Sequence, residues 1–562
     1  MRSSHSDLPA LIVGAGPAGL TMSMMLSRRG IPSMVLEKRG AVGIRPRSRG
    51  VNIRTCEVWR QLGLTEALEE ISVPRDWTTQ VIHVDSLAGE EVARATWGRL
   101  AGEESLALSP CRYTLSSQNK IDPMLARMAS AYPQTQVHFN REFLDVRDEG
   151  SHVVARVRDV TTDEVEEIAA QWLIAADGAA SGIKKQLDIG TSGVRSPRYY
   201  LNNEFRADLS RWTEGRPAIL YMVTSEQIAG IFVPLDGQRH WLCQINFDPK
   251  VDTPESWTRE RALARIRSMI DSPEAKDVEI DMVASTVWAP DAGVADQLRK
   301  GRVLLTGDAA HVVPPFGGFG MNIGVQSVHN LAWKLAAVIE GWAPIELLDS
   351  YGQERRKVAQ DVCSFGTYNA QKIVEVMKAP SREKKIEIIK GNPEFGTFAG
   401  LDLGFYYDQG AFIPDGSLPP QVANPITEYV PTGRPGHRAP HLWLKTPEGR
   451  KSSLDLFEDS FVLLAGEQGQ PWVEAAGQLQ RHAKVPLKAF RVGAGCELEP
   501  EGASFGSTYG VEPDGCVLVR PDGHVAYRSA RAVKDPVAQL EGALDQILGK
   551  PQVAAGAGGR AQ

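Results

Sequence analysis

Short uninterrupted apolar runs punctuate this chain, and several of them end on glycine or on an acid. The first is "ALIV", Ala10 to Val13. A run this short with no polar alternation predicts a strand buried on both faces, as in a parallel sheet. Apolar residues at Leu20, Met24 and Met25 then recur at helical spacing until Gly30-Ile31-Pro32 stops them, and "SMVLEK" follows as a second strand. The same sequence of events returns twice. "QWLIAADGAASG" leads to Ser181 at the head of a helix. "RVLLTGDAA" leads through "HVVPPFGGFGMNIG" to the helical "VQSVHNLAWKLAAVIEG". Strands alternating with helices in this way predict an α/β fold around a parallel sheet.

The pattern changes between residues 190 and 295. "NNEFRADL", "AILYMVTS", "IAGIFVPL" and "RHWLCQINFD" read as strands joined by turns, and predict an antiparallel sheet inserted into the α/β body. Beyond about residue 400 proline and glycine become frequent, and 401–451 reads as a linker. From Ser452 a strand, a helix and a strand ("VPLKAFRVG") are followed by two strands joined at Pro521-Asp522-Gly523. A closing helix follows, with Asp535 as its cap. The expected division is thus 1–189 with 296–400, then 190–295, 401–451 and 452–562.

Charge and composition narrow the function. The 562 residues carry a formal charge of −7 with no basic block, which argues against nucleic-acid binding. No apolar run approaches the roughly 18–20 residues that span a bilayer, and the N-terminus has no signal-peptide pattern. Six scattered cysteines form no C-x-x-C, as expected of reduced, buried thiols in a cytoplasmic protein. No Ser/His/Asp, H-E-x-x-H or paired-cysteine pattern supports hydrolysis or metal catalysis.

The chemistry lies in the loops after the strands. Gly14, Gly16 and Gly19 form G-x-G-x-x-G between a strand and a helix. Gly14 permits a tight turn, Gly16 lets the backbone approach a pyrophosphate, and Gly19 lets helix and strand pack closely. The helix start, with Pro17 and Ala18, offers free N–H groups to phosphate. Glu37, at the end of the second strand and followed by Lys38, has the place of a ribose-binding acid. Asp177-Gly178 and Asp308 repeat the arrangement of an acid at a strand's carboxyl end.

Together these segments resemble the FAD-dependent aromatic hydroxylases of the para-hydroxybenzoate hydroxylase type. Within that group the chain is most similar to aromatic polyketide hydroxylases. The resemblance covers roughly residues 8–390. It rests on "GAGPAG", "RPRSRGVNIRTCEVWRQLGL", "LSSQNKIDPML", "AADGAASGIKK" and "GDAAHVVPPFGGFGMNIG". It implies a Rossmann-like FAD domain, an inserted antiparallel-sheet substrate domain and a C-terminal thioredoxin-like domain. The C-x-x-C is missing from the last, where "GEQGQPW" stands in its place. That domain would then stabilise the protein or form a homodimer contact.

The resemblance also assigns residues. Gly14, Gly16, Pro17, Ala18, Gly19, Glu37 and Lys38 would hold the ADP half of FAD. Gln118 would reach the ribityl or pyrophosphate region, Asp177 and Gly178 the pyrophosphates, and Asp308 the ribityl chain. Pro314 and Pro315 would stiffen the loop beside the flavin. Gly317, Gly318 and Gly320 would clear its ring, and Met321 and Asn322 would aim N–H groups at its N1/C2=O edge. Arg47 is the expected catalytic cation near the flavin, and His311 a structural residue. Lys184 replaces an arginine usual in the family. Tyr221, Phe232, His240 and Gln244 are candidates to face the substrate.

The activity so implied uses NADPH or NADH and O2. On this resemblance oxygen would be activated at the flavin and passed to an electron-rich phenolic polycycle. Three other outcomes stay open at this point. They are Baeyer–Villiger insertion by the same fold, flavin-dependent halogenation (although its W-x-W-x-I-P segment is absent), and a flavin-binding scaffold without turnover.

Overall fold

A computed structural model describes residues 8–43, 45–46, 48–96, 102–196, 198–289, 291–482 and 484–550. The chain divides into two units. Met1–Val328, Arg356–Leu403 and Asn424–Tyr429 make the first, and His329–Arg355, Gly404–Ala423 and Val430–Gln562 the second.

The first unit is organised by a six-stranded sheet. Its spatial order is Arg299–Lys300, Val303–Leu305, Trp172–Ala175, Ala10–Val13, Ser33–Glu37 and Thr135–Phe139. All neighbours are parallel except the edge hairpin at 299–305. "ALIV" is buried at every position, as a central strand covered on both faces requires. From Ala10–Val13 the chain proceeds outward in both directions, so the carboxyl end of this strand is a topological switch point, where open α/β sheets bind ligands. Three backbone bonds hold the strand ends at one level: Gly14 N to Leu36 O, Ala176 N to Val13 O and Thr306 N to Ala175 O.

The inserted sheet has seven strands. Their order is Asp281–Trp288, Tyr199–Arg206, His240–Phe247, Gly230–Pro234, Leu220–Val223, Gln80–Val84 and Glu91–Thr96. It is antiparallel apart from the pairing of Leu220–Val223 with Gln80–Val84. Two strands therefore come from residues 80–96, outside the segment in which the sequence pattern suggested a sheet. One face packs Phe205, Tyr221, Phe232 and Trp241 against Ile266 and Met269 of the helix Arg259–Ile270. The other face sets Met222, Ile231, Val233 and Leu242 against Ile373, Val376, Ile389 and Phe395. Burial on both sides explains why "AILYMV" and "IFVPL" show no polar alternation.

In the second unit, Leu487–Arg491, Phe461–Ala465, Cys516–Val519 and Val525–Ser529 form a mixed sheet in that order. The first two are parallel, and the remaining pairs antiparallel. The helices Gln470–His482 and Pro536–Ile547 pack together, and Asp535 caps the second by accepting from Ala538 N at 3.0 Å. No described helix is long and apolar enough to cross a membrane.

This unit also buries a charge network. Arg520 donates to Glu354 at 2.7 and 3.0 Å, to Asp522 Oδ1 at 2.9 Å and to Ala411 O at 3.1 Å. Lys334 Nζ donates to Glu354 Oε2 at 2.8 Å and to Asn330 Oδ1 at 3.0 Å. Burial alone would raise Glu354, yet Arg520 and Lys334 hold it down at about 2. Burial lowers Lys334 to about 8. Such a network contributes little beyond a hydrophobic equivalent while intact, but breaking it strands a charge. Arg520→Met should leave Glu354 and Asp522 without their main cation. We expect a loss of about 3–5 kcal/mol in the unfolding transition of this unit, measured by urea titration. Arg520→Lys should recover part of it.

Candidate active site

The glycine loop after Val13 shows why each glycine is there. Gly14 has φ +109°, and a Cβ on it would collide with the Ala176 carbonyl oxygen. A Cβ on Gly19 would collide with the Gly14 carbonyl oxygen. Both positions exclude side chains for packing reasons inside the protein. Gly16 differs, since a Cβ there would meet nothing within 4 Å. It is the N-cap of the helix Pro17–Arg28 and supplies no side-chain cap. The first helical bond is Leu20 N to Gly16 O, so the Ala18 and Gly19 N–H groups have no acceptor within the helix. Open space in front of uncapped donors fits a phosphate group.

Two acids border this space. Glu37, buried at the end of its strand, accepts from Ala15 N at 3.2 Å and Arg39 N at 3.1 Å; Lys38 beside it is exposed. Asp177 follows the strand Trp172–Ala175, its Cα 3.3 Å from the point where a Gly14 Cβ would lie. Its Oδ2 accepts from Ile183 N at 3.3 Å, while its Oδ1 is buried without a partner among the described residues. An unsatisfied buried carboxylate oxygen beside the glycine loop can accept from a ligand hydroxyl or N–H. Gly178 has φ +85°, and Ser181 caps the following helix by accepting from Lys184 N at 3.0 Å. Burial lowers Lys184, with Asp177 opposing.

The third segment closes on the first. A Cβ on Gly307 would stand 3.1 Å from Ala18 Cβ, and one on Gly324 would stand 3.2 Å from Gly307 Cα. The turn Gly307–Ala309, which presents Asp308 to solvent, therefore lies against the start of both helices. After it, Pro315 O accepts from Gly318 N at 3.0 Å, and Gly317 and Gly318 take φ +126° and +74°. The helix Gly320–Ile339 then begins. Its first bond is Ile323 N to Phe319 O at 2.8 Å, leaving the Gly320, Met321 and Asn322 N–H groups without helical acceptors. Phe319 is braced by Phe365 and Phe398 at 5.8 and 5.4 Å between ring centroids. His311 is buried with its Nε2 3.0 Å from Ser327 Oγ.

The remaining expectations fall out unevenly. Gln118 accepts from Ser48 N at 3.2 Å and donates to Asp122 at 3.3 Å, which places it beside the "RPRSRG" block. Arg47 lies outside the described residues. Arg49, not singled out from sequence, donates to Pro234 O at 2.8 Å and to Ile219 O, and desolvation lowers it to about 10. Tyr221 and Phe232 correct the substrate-wall expectation. Both lie fully buried in the core against the helix Arg259–Ile270, because strand alternation turns them to that face. His240 lies on the opposite face with its Nε2 2.8 Å from Glu204 Oε1, and Gln244 on that face donates to Asn202 Oδ1 at 3.1 Å. Tyr200, Trp288 and Phe316 join them there. Tyr200 opens one strand, Trp288 closes another and Phe316 lies in the proline–glycine loop, so no common sequence signal marks them.

A buried polar cluster supports the helix start at Gly320. Asn322 accepts from Asn52 N at 3.0 Å and donates to Gly50 O and Gly318 O at 2.9 and 2.7 Å. Asn52 in turn donates to Asp402 Oδ1 at 2.6 Å. Burial raises Asp402 to about 7, against the opposing donation from Asn52. The folded protein thus keeps a proton that the unfolded chain releases at its ordinary, lower value. Stability is lost as pH rises between those two values. Asp402→Asn keeps an acceptor for Asn52 and removes the ionisation. It should stabilise the protein more at pH 8 than at pH 5, by about 2–3 kcal/mol, in parallel denaturation curves.

Comparison with known proteins agrees with this geometry. The family model of the FAD binding domain matches residues 7–366, and that of the aromatic-ring hydroxylase C-terminal region matches 432–551. The chain is 34% identical over 551 residues to aklavinone 12-hydroxylase RdmE of Streptomyces purpurascens, covering 96% of this chain and 99% of that one. It is 34% identical over 558 residues to 4-methyl-5-nitrocatechol 5-monooxygenase of Burkholderia sp., covering 96% and 98%. Among solved structures, the flavin-dependent monooxygenase PieE in complex with FAD and substrate aligns with a TM-score of 0.89. The identity is 30%, over 97% of this chain and all of that one. The chain therefore belongs to the FAD-dependent class A aromatic-ring hydroxylases.

Proposed function

We propose that this enzyme uses NAD(P)H and O2 to hydroxylate a phenolic, polyketide-like ring system. The observation that carries the reading is the meeting of three distant segments, at Gly14–Ala18, Asp177 and Gly307–Gly324, which brings uncapped helix N–H groups and acids together. FAD, when bound, supplies the electron transfer and the oxygen activation.

The chain's own residues bind and orient. The Ala18 and Gly19 N–H groups would take a pyrophosphate, and Glu37 a ribose. Asp177 Oδ1 and Asp308 would accept from hydroxyls. The helix start at Gly320–Asn322 would place N–H groups and the positive end of the macrodipole against a ring edge that gains negative charge. The aromatic bracing of Phe319 keeps that corner rigid and helps to exclude water. Relatives named for action on aklavinone and on a nitrocatechol support a phenolic substrate.

The C-terminal sheet supports a thioredoxin-like reading, since its first two strands are parallel and its third runs against them. Without C-x-x-C its contribution is structural, with a homodimer contact as one form of it.

The purified protein should be yellow. Under anaerobic NADPH or NADH the oxidised-flavin absorbance should fall, faster when a phenolic polycycle is present. With ¹⁸O2 the label should appear in a new phenol. Gly19→Ala should drive the helix off its strand and abolish FAD retention. Colourless protein that takes up no FAD would overturn the reading.

A further inference from the structure

The face of the seven-stranded sheet opposite Tyr221 and Phe232 carries a polar patch that the cofactor does not explain. Pairing sets Asn202 directly across from Gln244, and Tyr200 between Asn246 and Trp288. The Tyr200 ring stacks on Trp288, with centroids 5.0 Å apart and planes at 25°. Phe316, from the proline–glycine loop, meets Tyr200 edge-on at 5.9 Å. The loop assigned to the flavin ring thus touches this wall.

Two properties of the wall point to a ligand. Its apolar neighbours Ile231, Val233 and Leu242 are already covered by Ile373, Val376 and Ile389, whereas Asn202, Gln244 and Trp288 stay only half-buried. The Trp288 indole nitrogen is itself buried and has no acceptor among the described residues. An indole N–H can only donate, so it can take an oxygen from a ligand seated on this wall. Each of these side chains is also uncharged. The next residue along the same face is Glu204, occupied by His240. Arg198 and Arg206, at the ends of that strand, are exposed. A carboxylate ligand on this wall would be desolvated beside Glu204, with no cation among the described residues of the wall facing it.

We propose that Asn202, Gln244 and Trp288 set substrate specificity by selecting planar phenols or quinones with neutral oxygens against aromatic carboxylates. The carboxamide pair can both donate and accept, which suits a hydroxyl and a carbonyl alike. The indole N–H takes a further oxygen, and the Tyr200–Trp288 stack bounds the ring plane. This inference rests on the hydroxylase reading given above.

FAD-loaded protein can be titrated with 2-naphthol and with 2-naphthoate, following the bound-flavin spectrum. Naphthol should bind at least about tenfold more tightly. Trp288→Phe, which keeps the stack and removes the N–H, should weaken naphthol about fivefold or more while FAD retention is unchanged. Gln244→Lys should gain naphthoate binding and reverse the preference. Equal or tighter binding of naphthoate by the wild type would overturn the inference. So would wild-type affinities in both variants, or no binding of either probe. Each of those outcomes leaves the cofactor reading intact. Failure to retain FAD at all would instead strike the hydroxylase reading itself.

Discussion

The ladder of the parallel sheet is the constraint on which the rest depends. Backbone bonds from Gly14, Ala176 and Thr306 end three strands at one level, although the segments are separated by more than a hundred residues each. Once the strands are level, the loops that follow them have no room to diverge. The Gly14 turn lies on the Ala176 carbonyl, Gly19 on Gly14, and Gly307 on Ala18 and Gly324. The first two contacts exclude a Cβ outright, and at Gly307 and Gly324 a Cβ would be a tight fit. The site is therefore defined less by the side chains it gathers than by the ones it forbids. Loops this tightly packed present N–H donors without any further rearrangement, which is the preorganisation that charge stabilisation needs.

Legibility in the sequence followed the range of the cause. The glycine spacing was readable because its reasons are local, namely a positive φ at Gly14 and a helix–strand approach at Gly19. The apolar run "ALIV" was readable because a central parallel strand has no polar face. Burial on both faces had the opposite effect in the inserted sheet. With no polar alternation to fix the facing of each residue, Tyr221 and Phe232 could not be separated from Tyr200 and Trp288 by pattern alone. The strands Gln80–Val84 and Glu91–Thr96 were missed for a related reason. They pair with each other as a hairpin, and the first joins the sheet through Leu220–Val223, a distant membership that leaves no local mark.

Long-range ionic partners were equally silent. Glu354 and Arg520 are 166 positions apart, and each in isolation reads as a surface charge. Only the folded second unit shows them fully buried together with Lys334 and Asp522. The same holds for Asp402, whose raised proton affinity depends on being enclosed at the end of a short helix and met by Asn52. Ionisable residues report their environment, and that environment is not written beside them in the chain.

Asn322 shows how the two kinds of information meet. Its position at the start of a helix suggested a ligand contact, and its side chain is already fully engaged inside the protein. One oxygen accepts from Asn52, and one amide nitrogen donates to Gly50 and Gly318. Aspartate could supply the acceptor but neither donation, and serine could not reach three backbone groups on two segments at once. A carboxamide is the side chain that satisfies this set. What it leaves for a ligand is its backbone N–H, beside those of Gly320 and Met321. The side chain fixes the corner while the backbone would do the binding proposed above, and this division of labour lets a helix start so poor in other side chains hold its position.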